Sequence, residues 1–570
     1  MKRFHLAIVW VAGAAALVLA QAAKSPKDLA TLIQAGDTKL ALQQIQAGAD
    51  VNRAQPDGTT PLIWAANLGD AEIAAALIAK KADPNAANQF GATPLTEAAR
   101  KGSARVVKML LDAGARVDSA NPDGETALMA AIGAGEVATV KTLIDAGANV
   151  NTIEKFHNQT PLMYAAASNR NAAQMVKLLL AKGADVKPRA LYSDWPSQVT
   201  SEPRAQYRSV GGLTALLYAA RSGCYECTQD MIAAGVDVNL PTPEGITPLM
   251  IALDNSHNDV AKLLMDKGAN IHVFDWWGRT ALWIAVDRKP TANGAGGGFG
   301  GGRGGFGGGG RGAGGGRGGP GRGAPGSGAE AGNVSRGPAV SSMEMINALL
   351  NAGADPNVEM NFHRPNAPNR GRFADNQIST GTTPLFRAVQ NNDLEAVQAL
   401  LAKGANPNIN SMGYTAFLLA TGAGPSGRGG AGVAPDMRIV DLMVQHSADV
   451  NAQVTGTKLY SYSVSRDAGN NNGIHEGDTA LHEAARSART ELVKYLLDHG
   501  ANPNLADANG KKPIDVAGVP RPIRGFGQAP AAAGGGQAQR GPGRGGPGRA
   551  ADPAAVAEIR AMLEAAAAKK

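Results

Sequence analysis

The chain has 570 residues, of which 44% are hydrophobic and 18% charged; Gly is the outlier at 73 and the formal net charge is +7. Two cysteines exclude a disulfide framework and a four-cysteine zinc site, and no internal apolar run approaches the roughly 18 residues of a membrane span, which excludes a polytopic membrane protein. A basic, glycine-rich total invites a nucleic-acid reading, and its fate depends on where those residues sit.

The chain opens on a positive Met1-Lys2-Arg3. An uncharged apolar run from Leu6 to Ala20 follows, and Ala20-Gln21-Ala22 then offers small residues at a cleavage site. This is the three-part pattern of a secretory leader, and the run is shorter than the roughly 20 residues of a spanning helix. Residues 1–22 are expected to be removed near Ala22, which places the mature chain in the periplasm or outside the cell. An uncleaved anchor is the alternative.

From Lys27 onward the chain repeats itself. Gly-x-Thr recurs at Gly58, Gly91 and Gly124, again at Gly212, Gly245 and Gly278, and later at Gly381, Gly413 and Gly477, with Asn158 in the Gly role and Gly510, followed by Lys511-Lys512, in the same register. A second landmark, Gly-Ala-(Asp/Asn), runs in phase at Gly48, Gly147, Gly183, Gly268, Gly353, Gly404 and Gly500, with Arg116 in the third place after Gly114. Thr60-Pro61-Leu62 predicts a helix start: Thr caps free N–H groups, and Pro suits the first helical position, where its missing N–H is not needed. A second apolar segment such as Val106-Val107-Met109-Leu110-Leu111 has helical spacing. The Gly after it falls where helices end in the left-handed conformation. No unit of this kind can bury its apolar face alone, so neighbours must stack.

These residues resemble the ankyrin repeat, with further matches at Thr93-Pro94-Leu95, Thr160-Pro161-Leu162, Thr247-Pro248-Leu249, Thr383-Pro384-Leu385 and Thr479-Ala480-Leu481-His482. The resemblance implies an all-α solenoid of stacked helix pairs with β-hairpin finger loops; about 12 units are counted along the chain, and the short leader and Gly/Ala-rich inserts are of bacterial, exported type. One departure is consistent. The His that follows Thr-Pro-Leu in the family is replaced by Ile63, Met129, Met163, Met250, Trp283 or Phe386, and only His482 keeps it, so a greasier seam between repeats is expected. Lys81 and Ser447 replace the helix-ending Gly and should be mildly strained.

In chain order the organisation is a leader (1–22), repeats through the first helix of the eighth (23–287), a Gly/Arg-rich insertion (288–340), further repeats (341–517), a Gly/Pro/Arg-rich insertion (518–551) and a capping helix (552–570). A shorter interruption at 422–436 also splits a unit between its helices. The two long insertions hold 25 and 11 glycines and are expected to be flexible, because they cannot build a core. Finger insertions at 187–209, 358–380 and 452–476 differ in carrying aromatic and polar residues. In the last, Tyr460, Tyr462 and Val464 alternate with serines, which suggests an extended hairpin.

The resemblance places a partner-binding face on the fingers and the residues after their Gly. The candidate anchors are Phe90, Trp276 and Trp277 on finger tips, with Tyr192, Trp195, Tyr207, His363, Tyr460 and Tyr462 in the finger insertions. Large exposed aromatics are enriched at interface hot spots, and packing on the next finger is the competing reading. Trp64, Tyr164, Tyr218 and Trp283 sit inside first helices and are expected mainly to pack. Cys224 and Cys227 form a C-x-x-C at a helix start, expected as a disulfide or as buried thiols; a redox pair is the less favoured reading, since no strand-and-helix thioredoxin context surrounds it.

No catalytic, metal or cofactor constellation can be singled out. The Gly-x-Gly-x-x-Gly spacings in 294–328 lack the flanking strand and helix, and His475-Glu476 and His482-Glu483 are wrongly spaced for a zinc-protease helix. The expected function is therefore non-catalytic: a scaffold or inhibitor binding another protein, expected as a monomer, with no small-molecule substrate and no cofactor. Polyanion binding through the Arg-Gly tracts is the alternative, with a thiol–disulfide redox protein behind it. Removing the leader and the two long insertions from the charge count leaves −6 on the rest. The basic character therefore belongs to the inserts, and nucleic acid is an unlikely partner.

Overall fold

The computed structural model describes residues 28–193, 210–276, 278–290, 336–360, 381–411, 413–422, 435–455, 476–519 and 551–569. The leader, most of each insertion, the alternating 460–465 stretch and the candidates Trp195, Tyr207, Trp277, His363, Tyr460 and Tyr462 lie outside the described residues. Contacts divide the described residues into a first unit spanning 28–193 and 211–236 and a second spanning 237–290 and 337–569.

Each unit is a succession of helix pairs. In the first, Pro61–Leu68 pairs with Ala71–Ala79, Pro94–Lys101 with Ala104–Asp112, and Pro161–Ala167 with Ala172–Ala181. The starts follow the expected grammar: Thr60, Thr126, Thr160 and Thr247 each accept a backbone N–H three residues on, and Pro occupies the first turn of several first helices. Ala65, Ala66, Ala98, Ala99, Ala165 and Ala166 are fully buried, because small side chains let neighbouring first helices approach closely.

Second helices end in left-handed glycines. Gly114 has φ +90° and an added Cβ there would meet nothing within 4 Å, so the backbone angle and not crowding selects Gly. Lys81 and Ser447 take the same conformation at φ 64°, a strained choice for side-chain-bearing residues.

The seam between repeats is apolar where expected. Ile63, Met129, Met163, Met250, Trp283 and Phe386 are all buried. His482 instead makes polar links: Thr479 N–H meets its Nδ1 at 3.1 Å, and its Nε2 lies 3.0 Å from the Lys511 carbonyl of the next finger.

A second link is an asparagine ladder. Asn85 Nδ2 donates to the Gly114 carbonyl at 3.0 Å, while its Oδ1 accepts Arg116 N–H at 2.8 Å. Asn52, Asn151, Asn239, Asn357, Asn408 and Asn451 repeat this double bond to the next repeat. Each side chain thereby satisfies a carbonyl at the neighbouring helix end that the helix itself leaves open.

The fingers are shorter than the expected β-hairpins. Among the described residues four show a single bridge, as between Ala120 and Thr126 or Phe274 and Thr280, and a tight turn consumes the available residues: Asn88 N–H donates to Ala92 O and Gly91 N–H to Asn88 O. Among the described residues only Tyr192–Ser193 and Val210–Gly211 make a two-stranded ladder.

In the second unit, the helix Ala281–Arg288 leads into the 288–340 insertion and Ser342–Asn351 follows it. Both ends are pinned by neighbours. Lys289 Nζ bonds Asp393 at 2.7 Å and Glu395 at 3.0 Å, and Arg387 Nε bonds Asp287 at 2.7 Å. On the other side, Asp259 accepts Gly337 N–H at 2.8 Å, and Asn258 donates to Val340 O at 3.3 Å. The last pair starts as a single 3₁₀ turn, Pro513–Val516, and the helix Pro553–Ala567 then buries Ile559 and Leu563. Among the described residues no helix is long and apolar enough to cross a membrane.

Candidate partner-binding face

Finger geometry decides which side chains face outward. Among the described fingers, neighbours are tied in register by backbone bonds: Gln89 N–H to Asp57 O, Lys155 N–H to Asp123 O, and Trp276 N–H to Glu244 O. Close approach makes Gly91 necessary, since a Cβ there would come within 2.4 Å of Pro122 Cδ on the next finger.

This register exposes apolar side chains. Phe90 is 65% exposed, Phe156 66%, Phe274 62%, Trp276 52% and Tyr192 50%. Leu191 and Ile153 join them from the same loops. Three of the predicted anchors, Phe90, Trp276 and Tyr192, are thus placed outward on fingers. Phe156, Phe274, Ile153 and Leu191 are additional; the signal for them was present, since each stands in a finger near a repeat Gly or its Asn158 substitute.

Behind the fingers of the first unit, the first helices add a polar and aromatic surface. A cleft of about 330 Å³ opens between Phe90, Glu97, Arg100, Asn121 and Glu125. Arg100 reaches Glu125 at 3.1 Å and Glu97 at 3.6 Å. Burial works against its charge, but the Glu125 and Glu97 carboxylates more than offset this and raise its pKa. Asn67 Nδ2 donates to Glu97 at 2.7 Å and Trp64 Nε1 to Gln55 Oε1 at 2.9 Å.

Trp283 and Tyr218 are buried, whereas Trp64 and Tyr164 are half-buried and offer an edge to this face. Tyr218 Oη accepts from Gln159 Nε2 at 2.6 Å, and the Arg221 guanidinium lies 4.8 Å over its ring. Tyr164 Oη has no hydrogen-bond partner among the described residues. Burial, then Glu154 and Glu125, push its pKa up to about 12, so it stays a neutral donor. Glu154 is itself buried and accepts from Phe156, His157 and Gln159 N–H, which orders that finger.

Cys224 and Cys227 are bonded to each other and fully buried. Cys224 caps the helix Tyr225–Ala233 at the position that Asp70, Asp393 and Asp436 occupy in other repeats. Among the described residues no cluster of His, Cys, Asp and Glu is arranged to hold a metal.

A three-copy ankyrin-repeat family model matches residues 29–121, 113–190, 204–292 and 339–454, and a single ankyrin-repeat model matches 476–508. These cover more than half of the chain, which belongs to the ankyrin-repeat family. It is 35% identical over 177 residues to the mitochondrial disaggregase of Bos taurus, covering 31% of this chain and 20% of that protein. It is 28% identical over 149 residues to the B-cell lymphoma 3 protein homolog of Mus musculus, covering 23% and 33%. The chain thus spans a fifth to a third of the length of these relatives. Among solved structures, the human ASB11 ankyrin repeat domain matches at 25% identity and a TM-score of 0.33, covering 39% of this chain and 90% of that one. Ankyrin repeats mark the chain as a protein–protein interaction scaffold.

Proposed function

We propose that this chain is an exported, non-catalytic scaffold or inhibitor of about twelve repeats, acting as a monomer, that holds a partner protein against its fingers and first helices. The observation that carries the reading is the exposed aromatics on the fingers of each unit: Phe90, Phe156 and Tyr192 in the first, and Phe274 and Trp276 in the second, stand in solvent on loops that backbone bonds tie to a neighbouring finger. Rigid aromatic side chains bury large area at little entropic cost, which suits them as anchors. Export is supported by the leader pattern in residues 1–22 and is consistent with the Cys224–Cys227 bond. In this reading the Arg-Gly segments are not a polyanion site.

Site-specific photo-crosslinking tests the binding reading. A crosslinker at position 90, 156 or 276 should trap one and the same protein in native extracts, while one at the exposed Lys108 or Lys141, on second helices, should not. Equal trapping from both sets, or none from either, refutes it. Sequencing the mature N-terminus tests export: a start at Ala23 is expected, and a retained Met1 in a cytoplasmic fraction refutes it.

A further inference from the structure

The asparagine ladder is interrupted in the second unit. Asn239, Asn357, Asn408 and Asn451 each donate to the carbonyl at the next helix end and accept the N–H two residues beyond it. His272 holds the same place in its own loop, and the backbone takes the same turn: His272 N–H meets Asn270 Oδ1 at 2.9 Å, as Asn408 N–H meets Asn406 Oδ1 at 2.9 Å. The imidazole cannot copy the amide, which donates and accepts from two atoms of one short side chain. Among the described residues neither the Gly353 carbonyl nor Asp355 N–H has a hydrogen-bond partner, although each is the equivalent of a group that a rung satisfies elsewhere.

The same seam is bonded elsewhere. At the first helices, Arg288 pairs with Asp254 at 2.7 Å and Arg279 with Asp254 at 3.2 Å. At the starts of the second helices, Asn258 Nδ2 lies 3.3 Å from Ser342 Oγ. The C-terminal ends of those helices, Asn258–Asp266 and Ser342–Asn351, carry no rung. Ser342–Asn351 also follows the long insertion, so no short turn ties it to its own first helix. Lys187 likewise leaves the Gly235 carbonyl without a rung in the first unit, but there the second helix Tyr225–Ala233 follows its first helix, Ala215–Ser222, directly. Only the seam at His272 combines both weaknesses among the described residues.

We propose that this seam is a hinge built into the second unit: Asn258–Asp266 and Ser342–Asn351 part at their C-terminal ends, turning about the bonds at the first helices and at Asn258. Regions held by fewer hydrogen bonds open more readily. Two hydrogen bonds of ordinary net strength shift such an opening about tenfold, so the seam without a rung is open more often than its neighbours by that factor. The loop that carries His272 also carries the exposed Phe274 and Trp276, and its base moves with the hinge.

The test uses the full mature protein with spin labels on cysteines placed at the exposed helix ends Lys267, Ala352 and Lys403; Cys224 and Cys227 are bonded and buried and take no label. The pair Lys267→Cys/Ala352→Cys spans the seam at His272, and Ala352→Cys/Lys403→Cys spans the next seam, which Asn357 closes. The first pair should show a distance distribution at least twice as wide as the second. His272→Asn should narrow it to the width of the second and slow exchange of the Asp355 amide about tenfold, while His272→Ala should do neither. Asn357→Ala should widen the second pair about twofold in turn. Equal widths before substitution, or a first pair that His272→Asn leaves unchanged, overturn the proposal. So does slower exchange at Asp355 without narrowing, because a rung that forms without closing the seam shows that the seam was not open. No partner enters the measurement, so its outcome is independent of the binding reading.

Discussion

Replacing His482 by Met tests how the repeat seam is held. The substitution installs the residue that Met129, Met163 and Met250 supply at the same position, where each is buried. It removes the acceptor of Thr479 N–H and the group bonded to the Lys511 carbonyl. Thr479 is buried and Lys511 exposed, so water replaces only the second partner. An orphaned buried donor costs about 1–3 kcal/mol, and the added apolar burial returns roughly 1 kcal/mol. A net loss of about 1–2 kcal/mol is expected at pH 7.5. Burial, the largest influence, lowers the His482 pKa below its ordinary 6.5 in spite of the Lys511 carbonyl and nearby Asp478. The unfolded chain therefore binds a proton in a pH range where the folded one does not, and wild-type stability falls as pH drops from 6.5 through the folded value. The Met variant lacks this contribution, so the gap between the two proteins should narrow between pH 7.5 and 5. Hydrogen exchange of peptides within 476–519 reads the local opening free energy, which suits a repeat array that need not unfold in one step. A gap that is constant in pH, or a variant more stable than wild type at pH 7.5, refutes the reasoning.

Other outcomes follow from single positions. Lys81→Gly and Ser447→Gly relieve a left-handed backbone at about 1–2 kcal/mol against an entropic cost of about 0.4–1 kcal/mol. Each should therefore raise local stability modestly, as read by hydrogen exchange. Lys289→Met leaves the buried Asp393 without its cation and should cost about 2–3 kcal/mol, recovered in part by adding Asp393→Asn; no loss would show that the pin is idle. Reducing the Cys224–Cys227 bond, which closes a very short loop, should cost about 2 kcal/mol locally, seen as faster exchange in 215–233 and nowhere distant.

The fold was legible because its signals are periodic and local. Thr60-Pro61-Leu62 names a capped start, and Gly114 names a left-handed stop; both act through the backbone of their own unit. The bonds that join units were less visible. Asn85 and its equivalents recur in the sequence, yet a recurring Asn also suits a turn, and only three-dimensional register brings its side chain to Gly114 O and Arg116 N. Phe156 lies two residues before Asn158, where Phe90 adjoins Gly91, so the landmark marks its finger but not its side chain. Glu97, Arg100 and Glu125 carry no motif at all, since their cluster exists only after two repeats stack. The fingers fell short of hairpins because a turn that closes within a few residues leaves none for a ladder.

The central claim is that finger-borne aromatics hold the partner. The most direct measurement is the affinity of the crosslink-identified partner for the mature protein and for the Phe90→Ala/Phe156→Ala/Trp276→Ala variant, with thermal melts of both. A loss of at least a hundredfold in affinity with an unchanged melt is expected, because exposed side chains contribute little to the core. Equal affinity of the two proteins would contradict the account.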